Sequence, residues 1–164
     1  MKEIQYDRKK VVEYAQKWAY KRNPNYYNYD AIGGDCTNFV SQCIFAGSQV
    51  MNYQNPNGWY YRNANQKSPS WTGVEFLYQF LTKNKFLGPY GRMVTQKEVE
   101  VGDIAQISFD RNIFAHTVII INTGKEKDLS QIYIASHTLD SFGKKLEEYI
   151  THQIRFIHIE GVRK

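Results

Sequence analysis

Three side chains have types and settings suited to making and breaking a covalent bond: Cys36, His116 and His137. Cys36 lies in Gly33-Gly34-Asp35-Cys36-Thr37-Asn38-Phe39-Val40-Ser41-Gln42-Cys43-Ile44. Two glycines give a flexible entry, Asp35 is a good N-cap, and Cys36, Phe39, Val40, Cys43 and Ile44 recur at helical spacing. This pattern predicts a helix carrying the cysteine in its first turn and stopping near Gly47. Unpaired amides and the positive end of the helix dipole favour a thiolate there. Cys43 lacks that help. It stands about 10 Å further along the axis, beyond the roughly 7 Å Cα separation a disulfide tolerates.

A nucleophilic thiolate needs a base. His116 opens the β-branched run Thr117-Val118-Ile119-Ile120-Ile121, and His137 closes the next one, Ile132-Tyr133-Ile134-Ala135-Ser136-His137. In an antiparallel pair the start of the first strand lies beside the end of the second, which brings the two imidazoles together as a base and its orienting partner. The same cysteine and histidines could hold zinc. A cysteine leading a helix and a histidine opening a strand read more economically as nucleophile and base.

The elements that position these groups follow from the pattern on either side. Arg8 to Arg22 predicts a basic amphipathic helix capped by Asp7 and ended by Asn23-Pro24, with Val11, Ala15, Trp18 and Ala19 inward. Tyr27 and Tyr29 lead into the cysteine loop, where a tyrosine hydroxyl could assist an oxyanion; the sequence does not rank them. Gln49 to Ser70 is the least structured stretch, and its Trp59 and Tyr60 read as the wall of a substrate cleft. Thr72-Gly73-Val74-Glu75 fits a capping box for a core helix running to about Gly88-Pro89. From Gly102 the period changes to strands over roughly Asp103–Phe109, His116–Ile121, Gln131–His137 and Ile154–Val162. Helices first and a strand meander afterwards give an α+β fold, with the N-terminal helices packed on an antiparallel sheet and Cys36 placed opposite His116. His152 and His158 read as surface or rim residues.

Composition narrows the classes. The 164 residues are 42% hydrophobic with four prolines, enough for one ordinary domain over 1–164 with its own core. Two cysteines make no disulfide framework. The net charge of +5 suits an anionic wall polymer as well as a plain solvated surface. No phosphate loop, repeat, metal-ligand spacing or concentrated basic-aromatic patch appears, so no cofactor, metal or nucleic-acid partner is implied. No apolar run is long enough for a signal peptide or membrane span, which leaves a cytoplasmic chain or a domain of a longer exported one. A monomer is the favoured state.

Asp35-Cys36-Thr37-Asn38-Phe39-Val40 on a helix, Val101-Gly102-Asp103-Ile104 leading a strand, and Ala115-His116-Thr117-Val118 before a His-terminated strand resemble the papain-like cysteine hydrolases of the bacterial cell-wall group. Within that group the Gly-Asp-Cys-Thr-Asn-Phe-Val-Ser-Gln string and Trp71 resemble the putative amidase domain family, a relative of the NlpC/P60 and CHAP domains. The resemblance implies Cys36 as nucleophile, His116 as general base and then acid, and His137 as the third residue, with Asp140 as its alternative. It further implies an amide substrate in peptidoglycan; Trp59 and Tyr60 of the aromatic loop, with Trp71, are the candidate substrate contacts. The alternatives are a transferase using the same Cys-His pair, and a non-catalytic wall-binding module.

Overall fold

From Ile104 onward the chain sends alternate side chains into two separate apolar cores, and this alternation builds the sheet. The computed structural model describes residues 1–164. Its elements are β1 (Glu3–Ile4), α1 (Arg8–Trp18), α2 (Cys36–Ser48), β2 (Tyr61–Asn63), β3 (Gln66–Lys67), α3 (Pro69–Thr72), α4 (Val74–Lys83), β4 (Gly88–Val94), β5 (Ile104–Asp110), β6 (Ile113–Asn122), β7 (Tyr133–Ser136), β8 (Ser141–Lys145) and β9 (Gln153–Arg163). Short 3-10 turns occupy Gln96–Glu98 and Leu146–Glu148. The fold is therefore α+β. Its main antiparallel sheet runs β1-β9-β5-β6-β7-β8, with β4 on the free edge of β9, and β2-β3 forms a separate hairpin.

Ile104, Ile119, Ala135, Ile157 and Ile159 face α1, α2 and α4; Ala105, Ile107, Val118, Ile120 and Ile134 face the other way, under Val94, Val99 and Leu146. The central helix is α2. Its sequence predicts an apolar stripe, yet every residue from Cys36 to Ile44 is buried, because α1, α3 and the sheet enclose it. Gly47 lies inside the last turn, and the helix stops two residues later at Gln49 in the left-handed conformation (φ 55°). What glycine provides at 47 is close approach: a Cβ there would come within 2.8 Å of the Asp7 carbonyl oxygen.

Other boundaries depart from the pattern for identifiable reasons. The first helix ends at Trp18, short of Arg22, where the Trp18 carbonyl accepts from the His137 Nε2 (2.8 Å) and the Lys21 amide (3.3 Å). α4 has Gly73 as its N-cap without the predicted capping box. The 49–70 stretch is more ordered than its composition suggests, because an Asn52–Trp59 bridge, the β2-β3 hairpin and α3 pin it down. The β4 strand was hidden by Gly88, Pro89 and Gly91, but as an edge strand it tolerates them, and a Cβ on Gly91 would collide with the His158 carbonyl oxygen.

Arg8 and His158 close the sheet onto α1 through wholly buried Asp103, each 2.8 Å from its carboxylate. His158 is thus a structural partner and not a rim residue. No helix is long and apolar enough to cross a membrane.

Candidate active site

The N-terminus of α2 is unusual in how it uses its cap residue. Asp35 is 1% exposed and makes no capping hydrogen bond to the helix. Its Oδ1 accepts from the Tyr29 amide and Asn38 Nδ2, both at 2.9 Å, and its Oδ2 lies 2.5 Å from His137 Nδ1. The amides of Cys36, Thr37 and Asn38 consequently have no protein acceptor. Cys36 is 8% exposed, with Sγ 3.7 Å from Thr37 Oγ1, while Cys43 is wholly buried and burial raises its thiol pKa. Both thiols are free.

Thr37 anchors this turn to the sheet by a 3.0 Å hydroxyl contact with Thr117, which also accepts from Gln106 Nε2 at 3.3 Å. Thr117 is the neighbour of His116, so the contact ties the residue after Cys36 to the residue after His116. His116 shares the sheet face of Val118 and Ile120 and pairs with Ile107, just before an irregularity in β5. It is 6% exposed, and its Nε2 lies 3.3 Å from the Tyr149 hydroxyl while Nδ1 has no hydrogen-bond partner. Burial, with a smaller effect from the Lys144 ammonium, lowers its pKa to about 4, so the ring is neutral at pH 7. Burial raises the Tyr149 pKa, the Ser136 hydroxyl at 3.5 Å partly offsets this, and the charge of a Cys36 thiolate adds a smaller upward push. No hydrogen bond joins the Cys36 sulfur to His116, a separation common before substrate binds.

His137 is not brought to His116. Strand alternation puts it on the face of Ala135 and Thr117, under α2, whereas His116 points through to the opposite face. There it is 1% exposed and stacks on Phe39 with ring centroids 4.0 Å apart. Both its nitrogens are engaged, one with Asp35 and the other with the Trp18 carbonyl. Asp140, the alternative third residue, is likewise held elsewhere, in a bidentate pair with Arg22 at 2.9 Å that also gathers Asp30. The residues around His116 are Tyr149, Phe109 and Lys144, with Ser136 behind the Tyr149 hydroxyl. None sits in a motif, and only the face parity of Ser136 with Ile134 could have flagged one of them.

Trp59 and Trp71, expected on a substrate surface, are wholly buried 4.7 Å apart and donate to Ser41 (3.1 Å) and Asn38 (3.0 Å) beneath α2. Large rings on a polar loop were serving the core. Tyr60 is half-buried and lies 5.1 Å from Tyr53 beside Arg62, Asn65, Gln66 and Lys67, around a shallow cavity of about 320 Å³. Of the two tyrosines before the cysteine loop, Tyr27 is exposed, whereas Tyr29 is 9% exposed with an unpartnered hydroxyl whose pKa burial raises to about 12. No group of three His, Cys, Asp or Glu side chains is placed to hold a metal ion.

Comparison with known proteins identifies the family of the chain. The chain is 35% identical over 126 residues to the uncharacterized protein YhbB of Bacillus subtilis, covering 74% of this chain and 39% of the relative. It is 24% identical over 149 residues to the uncharacterized protein YjcM of the same organism, covering 86% of this chain and 32% of that protein. The chain therefore spans between about a third and two fifths of the length of these relatives. No solved structure matches it. Residues 5–159 match the putative amidase domain, nearly the whole of the fold described above, and the chain belongs to that family.

Proposed function

We propose that this domain is a papain-like cysteine hydrolase, related to NlpC/P60 domains, that cleaves an amide bond in bacterial peptidoglycan. The observation that carries the reading is the Thr37–Thr117 contact, which ties Cys36, at an uncapped helix start, to the strand that carries His116, a buried neutral imidazole with Nδ1 free. Family membership supports amide hydrolysis as the reaction class.

Each step has a group to perform it. Tyr149 accepts from Nε2–H of His116, which leaves Nδ1 as the unprotonated nitrogen able to take the Cys36 proton. The thiolate attacks the carbonyl carbon, and the free first-turn amides receive the oxyanion. An imidazolium in a site that depresses its pKa to about 4 is a strong acid, suited to protonating the departing amine. Water then attacks the thioester, its proton passes to His116, and the acid product leaves with Cys36 restored. Tyr149, and not His137, would hold the third position.

Purified bacterial sacculi incubated with the protein test the reading, with new termini identified by mass spectrometry. Release of peptide fragments by wild type and its loss in Cys36→Ala is the expected outcome. Equal release by both proteins would exclude the mechanism.

A further inference from the structure

The structure assigns His137 a positioning role: it holds the Asp35 carboxylate away from the first-turn amides of α2, and so keeps those amides and Cys36 open to substrate. This inference rests on the hydrolase reading only for the use to which the amides are put.

An aspartate at the N-cap ordinarily folds its carboxylate back onto the amides two and three residues on. Asp35 is in the N-cap position and makes no such bond. Its two oxygens are drawn outward, Oδ1 by the Tyr29 amide and Asn38 Nδ2, and Oδ2 by His137 at 2.5 Å, with Arg22 Nε at 3.7 Å. His137 cannot turn away. It stacks flat on Phe39, and its Nε2 donates to the Trp18 carbonyl at the last residue of α1. That carbonyl belongs to a helix end, where its other donor is the Lys21 amide at a longer 3.3 Å. One imidazole thus ties the end of α1 to the residue before Cys36, from a position 102 residues further along the chain than Asp35. Forgoing the cap sacrifices helix stability, and what is gained is a helix start with three free donors beside a thiol. Capped by its own aspartate, α2 would instead present occupied amides and a carboxylate near the sulfur, the wrong charge for an oxyanion.

Two substitutions separate the two bonds. In His137→Asn the side-chain Nδ2 stands near the place of Nδ1 and keeps a donor for Asp35 Oδ2; in His137→Gln the Nε2 reaches towards Trp18, and Oδ2 loses its His137 donor while Oδ1 keeps Tyr29 and Asn38. The readout is the ratio of Cys36 alkylation rates by iodoacetate and iodoacetamide, resolved by peptide mass spectrometry. Iodoacetate carries a carboxylate that the free amides attract and an inward-turned Asp35 repels. His137→Asn should keep the wild-type ratio, whereas in His137→Gln it should fall about fivefold. Buried Cys43 should stay unlabelled in both. An unchanged ratio in His137→Gln, or labelling of Cys43 in both variants, would overturn the role by showing that His137 only supports the fold. No hydrolysed substrate is involved, so failure here is distinct from failure of the sacculus assay.

Discussion

His116 and His137 flank the open end of one hairpin and end up on opposite faces of one sheet, buried among different partners. His116 is buried beside a single 3.3 Å tyrosine contact and a lysine, so desolvation dominates and leaves a neutral ring with one nitrogen unused. His137 is buried between a carboxylate at 2.5 Å and a carbonyl at 2.8 Å, with both nitrogens consumed. A buried histidine with a spare nitrogen can do chemistry; one with none is a strut.

Changing either histidine should reveal this division. The largest effect is on turnover: His116→Ala should lower sacculus hydrolysis by roughly 10²–10⁴-fold, as loss of a general acid and base does. Next is stability. His137→Ala leaves the Asp35 carboxylate buried without its closest partner and should cost about 3–5 kcal/mol in urea unfolding.

A pH dependence separates the pair further. Because the folded pKa of His116 lies near 4 and the unfolded value near 6.5, the unfolded chain binds the proton first as pH falls. Stability is therefore intact above about pH 6.5 and is lost towards pH 4, by on the order of 3 kcal/mol from this group. Urea titrations of His116→Leu should show a flatter profile across that window, and an unchanged slope would mean the imidazole is not desolvated as described. Smaller still is Tyr149→Phe, which removes the hydroxyl at Nε2 and should reduce turnover by about tenfold with little loss of stability. Smallest is Asp140→Asn, in a partly exposed ion pair with Arg22, expected to cost about 1 kcal/mol or less in the same unfolding assay.

Much of the architecture was legible because local chemistry dictated it. Asp35 followed by the spaced apolar residues placed the start of α2 at Cys36, and the β-branched runs placed β6 and β7. The antiparallel hairpin was legible too, but the face each histidine occupies was not. Facing depends on register, and the Ile119–Ala135 pairing puts His116 and His137 out of phase. Sequence proximity across a hairpin therefore suggested a contact that strand parity forbids. Tyr149 was invisible for a different reason: it follows a 3-10 turn with no patterned neighbours, and only tertiary packing brings it to β6. Trp59 was misplaced because a polar, proline-containing loop hid a core anchor, and Trp71, in the short α3, packs beside it.

The most direct measurement compares sacculus hydrolysis by wild type, His116→Ala and His137→Asn at pH 7, each first shown to be folded by circular dichroism. Loss of turnover in His116→Ala, with His137→Asn within about tenfold of wild type, is the result expected if only the first histidine handles the proton. Full activity in His116→Ala, with turnover abolished in folded His137→Asn, would contradict it and return the catalytic role to the face beneath α2.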